Sequence, residues 1–201
     1  MRGKQSKDFS FSKRAASYDE GFEGKASRKF YSLLLREAAL RPGAAVLDVG
    51  CGTGALLKRL DGAFGIAGYG VDVEGNMLAQ AKANCPGMRF SLAPCGRLPF
   101  GDGAFDAVVA CMAYHHFDDK EGFAREAARV LKPDGILYIA DPRFPWGLRK
   151  AMNGLLKAAR VTGEFLSARE LEARFAAFGF RGLGAAADAY AQVVRLGKEL
   201  F

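Results

Sequence analysis

Short apolar runs alternate with segments of helical composition from residue 44 onward. The runs predict strands near 44–49, 67–72, 88–93, 104–110 and 135–141. The segments between them predict helices near 54–61, 75–84 and 120–131. Strands that alternate with helices require right-handed crossovers and form a mostly parallel sheet.

The pattern changes after residue 141. Helical segments near 146–160 and 167–178 are followed by closing strands near 181–187 and 190–196. We find no internal repeat, no low-complexity segment and no sign of a second domain. Apolar residues make up 50% and charged residues 25% of the 201 positions, which is usual for a single globular domain.

The first strand runs into a glycine-rich turn, Val46-Leu-Asp-Val-Gly-Cys-Gly-Thr-Gly54. Glycines at 50, 52 and 54 allow the backbone to bend sharply and to approach a ligand closely. The helix that follows would point its free N–H groups toward whatever lies over the glycines. This arrangement predicts a cofactor site at the carboxyl ends of the first two strands.

Two cofactor classes use such a turn. The run from Gly50 to Ala55 fits the dinucleotide pattern G-x-G-x-x-G/A, with Asp72 at the separation expected for a ribose contact. Asp48, however, lies two positions before the first glycine. Its carboxylate would repel a pyrophosphate and attract the ammonium of an amino-acid moiety.

With Asp48 in place, the turn resembles the acid-x-G-x-G-x-G signature of class I methyltransferases that use S-adenosylmethionine. Three later segments resemble further signatures of that family in the same order: 70–78, 97–106 ("LPF…FD") and 130–137 ("LKPGG"). The resemblance covers roughly residues 44 to 141. It is greatest to the small-molecule branch, which includes enzymes of ubiquinone and menaquinone biosynthesis.

The resemblance implies an α/β, Rossmann-like fold. Its sheet has seven mostly parallel strands, helices on both faces and a C-terminal antiparallel hairpin whose last strand inserts into the sheet. We expect one methyltransferase domain over 1–201, with an N-terminal helical cap (1–43), a cofactor-binding core (44–141), a lid (142–180) and closing strands (181–201).

The resemblance also implies the cofactor contacts. Asp48 would lie at the methionine end and Asp72 would hold the ribose hydroxyls, although both acids also suit a cap or a turn. Val73 and Met77 would line the adenine pocket, and Tyr18, in an "A..YD" element, would fold over the site. The full expected set is Tyr18, Asp48, Gly50, Cys51, Gly52, Gly54, Asp72, Val73, Met77, Cys95, Gly96 and Cys111.

One segment departs from the family pattern. Relatives often carry an acid in a "GDA" run before the LPF segment, where this chain has Ala93-Pro-Cys95. Pro94 therefore replaces the acid that accepts from the adenine amino group. Adenine would depend on the backbone around Cys95 and Gly96, and weaker cofactor binding is expected.

The residues after the fourth strand indicate the acceptor. Amino-methylating DNA and glutamine enzymes carry N-P-P-Y where this chain has Cys111-Met-Ala-Tyr114, which argues against those substrates. His115 and His116 follow and resemble the "LHH" of the small-molecule branch. Either histidine is a candidate to accept a proton from the acceptor, with a structural bond to backbone as the alternative. Because the sulfonium is already activated, methyl transfer does not require a base.

The chain has an excess of basic residues, with a net charge of +7, confined to residues 1–29 and 143–174. Such segments attract acidic substrates, anionic membranes or RNA. The alternative is that they only form a solvated surface that aids solubility. The cysteines show no C-x-x-C spacing, so neither a metal site nor a disulfide framework is expected. The chain lacks an apolar run of membrane-spanning length and a secretion signal, which favours a cytoplasmic location.

The leading hypothesis is methyl transfer from S-adenosylmethionine to a small molecule by direct displacement. An RNA or protein methyltransferase would exploit the basic segments. A non-catalytic S-adenosylmethionine-binding protein would accord with the change at Pro94. A nicotinamide-dependent oxidoreductase fits the glycine turn but leaves Asp48 unexplained.

Overall fold

The structure is a computed structural model that describes residues 21–199, without the side chains of Phe22, Glu23 and Lys25. The helices are α1 Phe22–Glu37, α2 Ala55–Phe64, α3 Gly75–Asn84, α4 Lys120–Val130, α5 Trp146–Ala158 and α6 Ala168–Ala176. The strands are β1 Ala45–Val49, β2 Ala67–Asp72, β3 Arg89–Leu92, β4 Phe105–Cys111, β5 Leu131–Pro142, β6 Phe180–Asp188 and β7 Ala191–Lys198. A short 3-10 helix spans Tyr114–His116.

Within residues 21–199 the strands form one seven-stranded sheet in the order β3-β2-β1-β4-β5-β7-β6. Strands β1 to β5 pair in parallel, and β7 pairs antiparallel with both β5 and β6. The expected fold is confirmed, including the insertion of the last strand between β5 and β6. The order reverses between β1 and β4, which opens a crevice at the carboxyl ends of these strands.

Alternate residues of the central strands enter two separate apolar cores. Leu47 packs on the face that also holds Phe123 of α4 and Phe175 of α6. Its neighbour Val46 packs on the opposite face, with Leu34 of α1. Because side chains alternate across a strand, β1 contributes to both cores and its residues are buried on both sides.

The observed elements begin and end close to the predicted positions, with one extension. Strand β5 starts at Leu131 rather than near residue 135, because Leu131 pairs with Phe105 ahead of a register shift. The pairing resumes at Ala107 and Ile136. No helix in the part of the chain that the structure describes is long and apolar enough to cross a bilayer.

Candidate functional site

The turn after β1 has the left-handed backbone that its glycines make possible. The φ angles of Gly50, Gly52 and Gly54 are 77°, 52° and 77°. The N–H of Gly50 donates to the carbonyl of Val71 over 2.7 Å, which holds the turn against the end of β2. A Cβ at Gly50 would lie 2.6 Å from the Cβ of Ala113, so no larger residue fits there without a shift.

Asp72, at the end of β2, holds two backbone segments together. Its Oδ2 accepts from the N–H of Gly52 over 2.8 Å, and its Oδ1 accepts from the N–H of Glu74 over 2.9 Å. Each carboxylate oxygen has a second lone pair, so a hydroxyl could still donate to the same group. Asp72 therefore fixes the shape of the turn and presents a carboxylate beside it.

Asp48 is buried in the middle of the sheet, with 2% of its surface exposed. Its Oδ1 has no hydrogen-bond partner among the described residues. Burial, and then the charge of Asp72, raise the pKa of Asp48 to about 8. A buried carboxyl oxygen without a partner is costly, and a cation beside it would relieve that cost. The carboxyl of Asp48, as a hydrogen-bond acceptor, thus fits the ammonium of an amino-acid moiety.

The thiols of Cys51 and Cys111 are buried as well. Burial, and next the charge of Asp48, raise the pKa of both thiols well above the ordinary value. Both therefore remain protonated at neutral pH and behave as small apolar groups, not as nucleophiles.

A cavity of about 290 Å³ opens at this edge of the sheet. The expected site residues that line it are Gly50, Asp72, Val73, Cys95, Gly96 and His116. The loops after β1, β2, β3 and β4 all contribute to its wall. This is the expected position for a ligand site, at the carboxyl ends of parallel strands where the strand order reverses. Met77 does not line this cavity and is buried on α3, with 3% exposed. Tyr18 lies outside the described residues.

The wall near Pro94 contains residues that the sequence did not single out. Phe117, Asp118 and Asp119 line the cavity together with Pro94 itself. Asp119 also caps α4, because its Oδ1 accepts from the N–H of Gly122 over 2.7 Å. Its other oxygen lies where a side chain on Gly96 would have to go. A carboxylate therefore borders this wall although Pro94 provides none.

The two histidines follow a strained connection. Met112, just after β4, has a φ of 54°, and the chain then turns through the 3-10 helix. His115 is buried, with its Nδ1 2.9 Å from Oδ1 of Asp141 and its backbone N–H donating to Oδ2 over 2.9 Å. Strain of this kind, in a residue other than glycine, is concentrated at functional sites.

His116 lines the cavity and retains an exposed surface there. Packing around its ring, and then the charges of His115 and Lys120, lower the pKa of His116 to about 4. The imidazole is therefore neutral at physiological pH. The two histidine rings are 4.0 Å apart between centroids, so they form one continuous surface.

The segment after β5 covers these histidines with aromatic rings. Phe165 stacks on His115 at 5.1 Å between centroids, and Phe144 meets Phe165 edge-on at 5.0 Å. The side chain of Asn153 in α5 holds Phe165 through two 2.9 Å hydrogen bonds, one to its N–H and one to its carbonyl. The result is an apolar, aromatic wall beside the cavity.

The core of the chain is similar to known proteins. Residues 47–139 match the family described as "Methyltransferase domain". The chain is 38% identical over 105 residues to the 2-methyl-6-phytyl-1,4-hydroquinone methyltransferase of Synechocystis sp., covering 51% of this chain and 33% of that protein. It is 35% identical over 100 residues to the demethylmenaquinone methyltransferase of Chlorobaculum parvum, covering 50% of this chain and 42% of that protein.

Among solved structures, the complex of the Trm112 methyltransferase activator and a methyltransferase from Haloferax volcanii aligns with a TM-score of 0.80. The alignment covers 98% of this chain and all of the matched chain, at 21% identity, and so shows a common fold. The present chain spans less than half the length of either quinone-related protein.

Proposed function

We propose that residues 47–139, which match the family described as "Methyltransferase domain", form a class I methyltransferase domain that depends on S-adenosylmethionine, and that the protein methylates a small molecule. The observation that carries the proposal is the pair formed by Asp48 and the glycine turn. A buried carboxyl whose Oδ1 has no hydrogen-bond partner among the described residues lies two positions before the first of three glycines in left-handed conformation. Such a site suits a ligand that is cationic at one end and needs close backbone approach.

We assign the cofactor contacts on the same basis. Asp48 would bind the ammonium, Asp72 the ribose hydroxyls, and the wall from Val73 to Gly96 the adenine. Cys51, Gly52, Gly54, Met77 and Cys111 would support this cradle from behind. Asp119 borders the same wall and offers an acceptor for the adenine amino group that Pro94 lacks. When bound, S-adenosylmethionine supplies an electrophilic methyl group on a sulfonium.

The acceptor side is aromatic and mostly apolar. His115, His116, Phe144 and Phe165 form one connected set of rings next to the cavity. This wall supports an apolar aromatic acceptor such as a hydroquinone, the class that the name of the Synechocystis relative specifies, while the name of the Chlorobaculum relative specifies a menaquinone. We propose that residues 142–180 act as the lid that excludes water, with Tyr18 contributing from the N-terminal cap.

The histidines would hold the acceptor's proton. Asp141 orients His115, and His116 is neutral at physiological pH because its pKa is low. A neutral imidazole can accept a hydrogen bond from an acceptor hydroxyl without adding positive charge next to a sulfonium. Orientation and exclusion of water would supply the remainder of the rate enhancement.

The proposal is tested by incubating the purified protein with methyl-labelled S-adenosylmethionine and separate acceptors. The panel contains a prenylated hydroquinone, a simple phenol and a structured RNA. We expect label in the hydroquinone, detected by mass spectrometry as one added methyl group. Label in RNA alone, with binding that weakens steeply as salt rises, would favour the nucleic-acid alternative. Cofactor binding without turnover on any of them would contradict enzymatic methyl transfer to these classes.

A further inference from the structure

Helix α5 carries large apolar side chains that point into solvent. Leu148 and Leu155 are 52% and 70% exposed and lie two helical turns apart, on one side of the helix. Trp146, at its start, is 71% exposed, and Val161, just beyond its end, is 54% exposed. Single exposed apolar residues are ordinary, but four on one helix and its flank indicate a contact surface.

The same segment is strongly basic. Residues 143–163 contain five basic residues and no acidic one. Arg149 is buried and pairs with Glu170 at 3.0 Å, which leaves the other basic residues exposed. Lys150 and Lys157 lie about 180–200° around the helix axis from Leu148, so the exposed leucines and the exposed lysines occupy the two flanks of the outer half of α5. We call this outer half with its flanks the docking face; it comprises Arg143, Trp146, Leu148, Lys150, Leu155, Lys157, Arg160 and Val161.

Helix α5 is attached to the domain by its inner side, which lies between the flank of the leucines and the flank of the lysines. Arg149 binds Glu170, and Asn153 holds the backbone of Phe165. These bonds are made by the inner side of the helix, and among residues 21–199 no hydrogen bond or ion pair from a side chain of the docking face holds α5 in place. The exposed residues of that face are therefore available to a partner.

We propose that the docking face binds the surface of an anionic lipid membrane, with α5 lying in the plane of the interface. Leucine and tryptophan side chains would enter the boundary between headgroups and acyl chains, while Lys150, Lys157 and the flanking arginines bind anionic headgroups. This surface goes beyond the proposed methyl transfer, and its binding to lipid requires neither cofactor nor acceptor.

Two other partners fit the face less well. RNA would satisfy the basic residues but leave Leu148 and Leu155 in water. A second copy related by twofold symmetry would cover the leucines but bring the basic residues of both copies together. An anionic bilayer accommodates both the apolar side chains and the positive charges.

Trp146 is the single tryptophan of the sequence, so its fluorescence reports on the docking face directly. The full-length protein is titrated with vesicles of phosphatidylcholine containing about one third phosphatidylglycerol, and with vesicles of phosphatidylcholine alone. We expect a blue shift of the emission with the anionic vesicles, co-sedimentation of the protein, and weakening of both by salt.

Two double variants separate the contributions. Leu148→Gln with Leu155→Gln should lower vesicle partitioning roughly tenfold or more, because both side chains leave the bilayer boundary. Lys150→Gln with Lys157→Gln should lower it about fivefold for each charge removed. The matched controls are Leu92→Gln, on the 66% exposed leucine of β3, and Lys58→Gln with Lys82→Gln on α2 and α3.

The controls should partition like the wild type. Vesicle binding is measured without cofactor or acceptor, which separates this test from that of the methyl-transfer proposal. An equal loss of vesicle partitioning in the control variants would show that net charge or nonspecific adsorption is responsible. That result would overturn the assignment of the docking face as the membrane contact. Absence of a Trp146 shift with anionic vesicles would do the same. So would a shift that appears with RNA, or with rising protein concentration, but not with vesicles.

Discussion

His115 meets Asp141 at two points, through a backbone N–H donated to Oδ2 and a ring Nδ1 lying 2.9 Å from Oδ1. Both residues are buried at the carboxyl edge of the sheet, with 4% and 5% exposed. An ionised carboxylate can only accept hydrogen bonds, so beside it Nδ1 carries the proton of the shared hydrogen bond. Asp141 therefore sets both the orientation and the tautomer of this imidazole.

Replacing Asp141 by Asn should reverse that tautomer. The Asn oxygen can still accept from the backbone N–H, but its amide would donate to Nδ1 and move the proton to Nε2. We expect kcat to fall by about ten- to a hundredfold, with little change in the affinity for S-adenosylhomocysteine. The chain has only two histidines, so ¹⁵N NMR of the imidazoles can follow the tautomer directly. An unchanged tautomer together with an unchanged kcat would show that Asp141 neither sets the tautomer of His115 nor supports catalysis.

Asp48 should make the protein less stable as pH rises. Its pKa is about 8 in the folded state and near 3.8 when unfolded, so between these values only the folded state binds the proton. The free energy of unfolding therefore falls across that interval as pH increases. Asp48→Asn removes the titrating carboxyl. The free energy of unfolding of the variant, minus that of the wild type, should therefore be greater at pH 8 than at pH 5. Urea unfolding at both pH values measures the difference; a constant difference would contradict the raised pKa.

The same carboxyl should couple cofactor binding to proton release. A bound ammonium favours the ionised form of Asp48, so binding at pH 7 should release up to about one proton. Calorimetric titration of S-adenosylhomocysteine in buffers of different ionisation enthalpy counts the protons. Asp48→Asn should bind more weakly and release none through this site. Identical proton counts in both proteins would place the ammonium elsewhere.

Gly50→Ala should damage the site through its backbone. The new Cβ would lie 2.6 Å from the Cβ of Ala113, at a φ of 77° that alanine rarely adopts. We expect stability to fall by about 1–3 kcal/mol and cofactor affinity to fall at least tenfold, as for other strained backbone positions. Gly75→Ala is the matched control, because it lies in α3 with nothing within 4 Å of the new Cβ. Thermal denaturation and calorimetry should show the control at or above wild-type stability, since alanine favours helix.

The sequence was sufficient to predict the sheet, because each central strand is a short apolar run bounded by glycine or by a strand-ending acid. It also located Asp72 and Gly50 at the cavity, since both follow directly from the position of a strand end. The start of β5 was less accurate, because the pairing of Leu131 with Phe105 depends on a contact between distant parts of the chain.

Other parts of the site required the three-dimensional structure. The pairing of His115 with Asp141 depends on the parallel alignment of β4 with β5, which local pattern does not encode. Asp141 could nevertheless have been flagged by the rule that singled out Asp72, because it too is an acid at the carboxyl end of a strand. The positive φ of Met112, just before the 3-10 helix that carries both histidines, has no comparable signal in the sequence.

The most direct test of the central claim is calorimetric titration of S-adenosylhomocysteine into the wild type and Asp72→Asn, with Asp61→Asn on α2 as the matched control. The wild type and Asp61→Asn should bind alike. Asp72→Asn should bind about ten- to a hundredfold more weakly while remaining folded, because a charged acceptor of hydrogen bonds is lost. Equal affinity in all three proteins, or no binding by the wild type, would contradict the assignment of this crevice as the cofactor site.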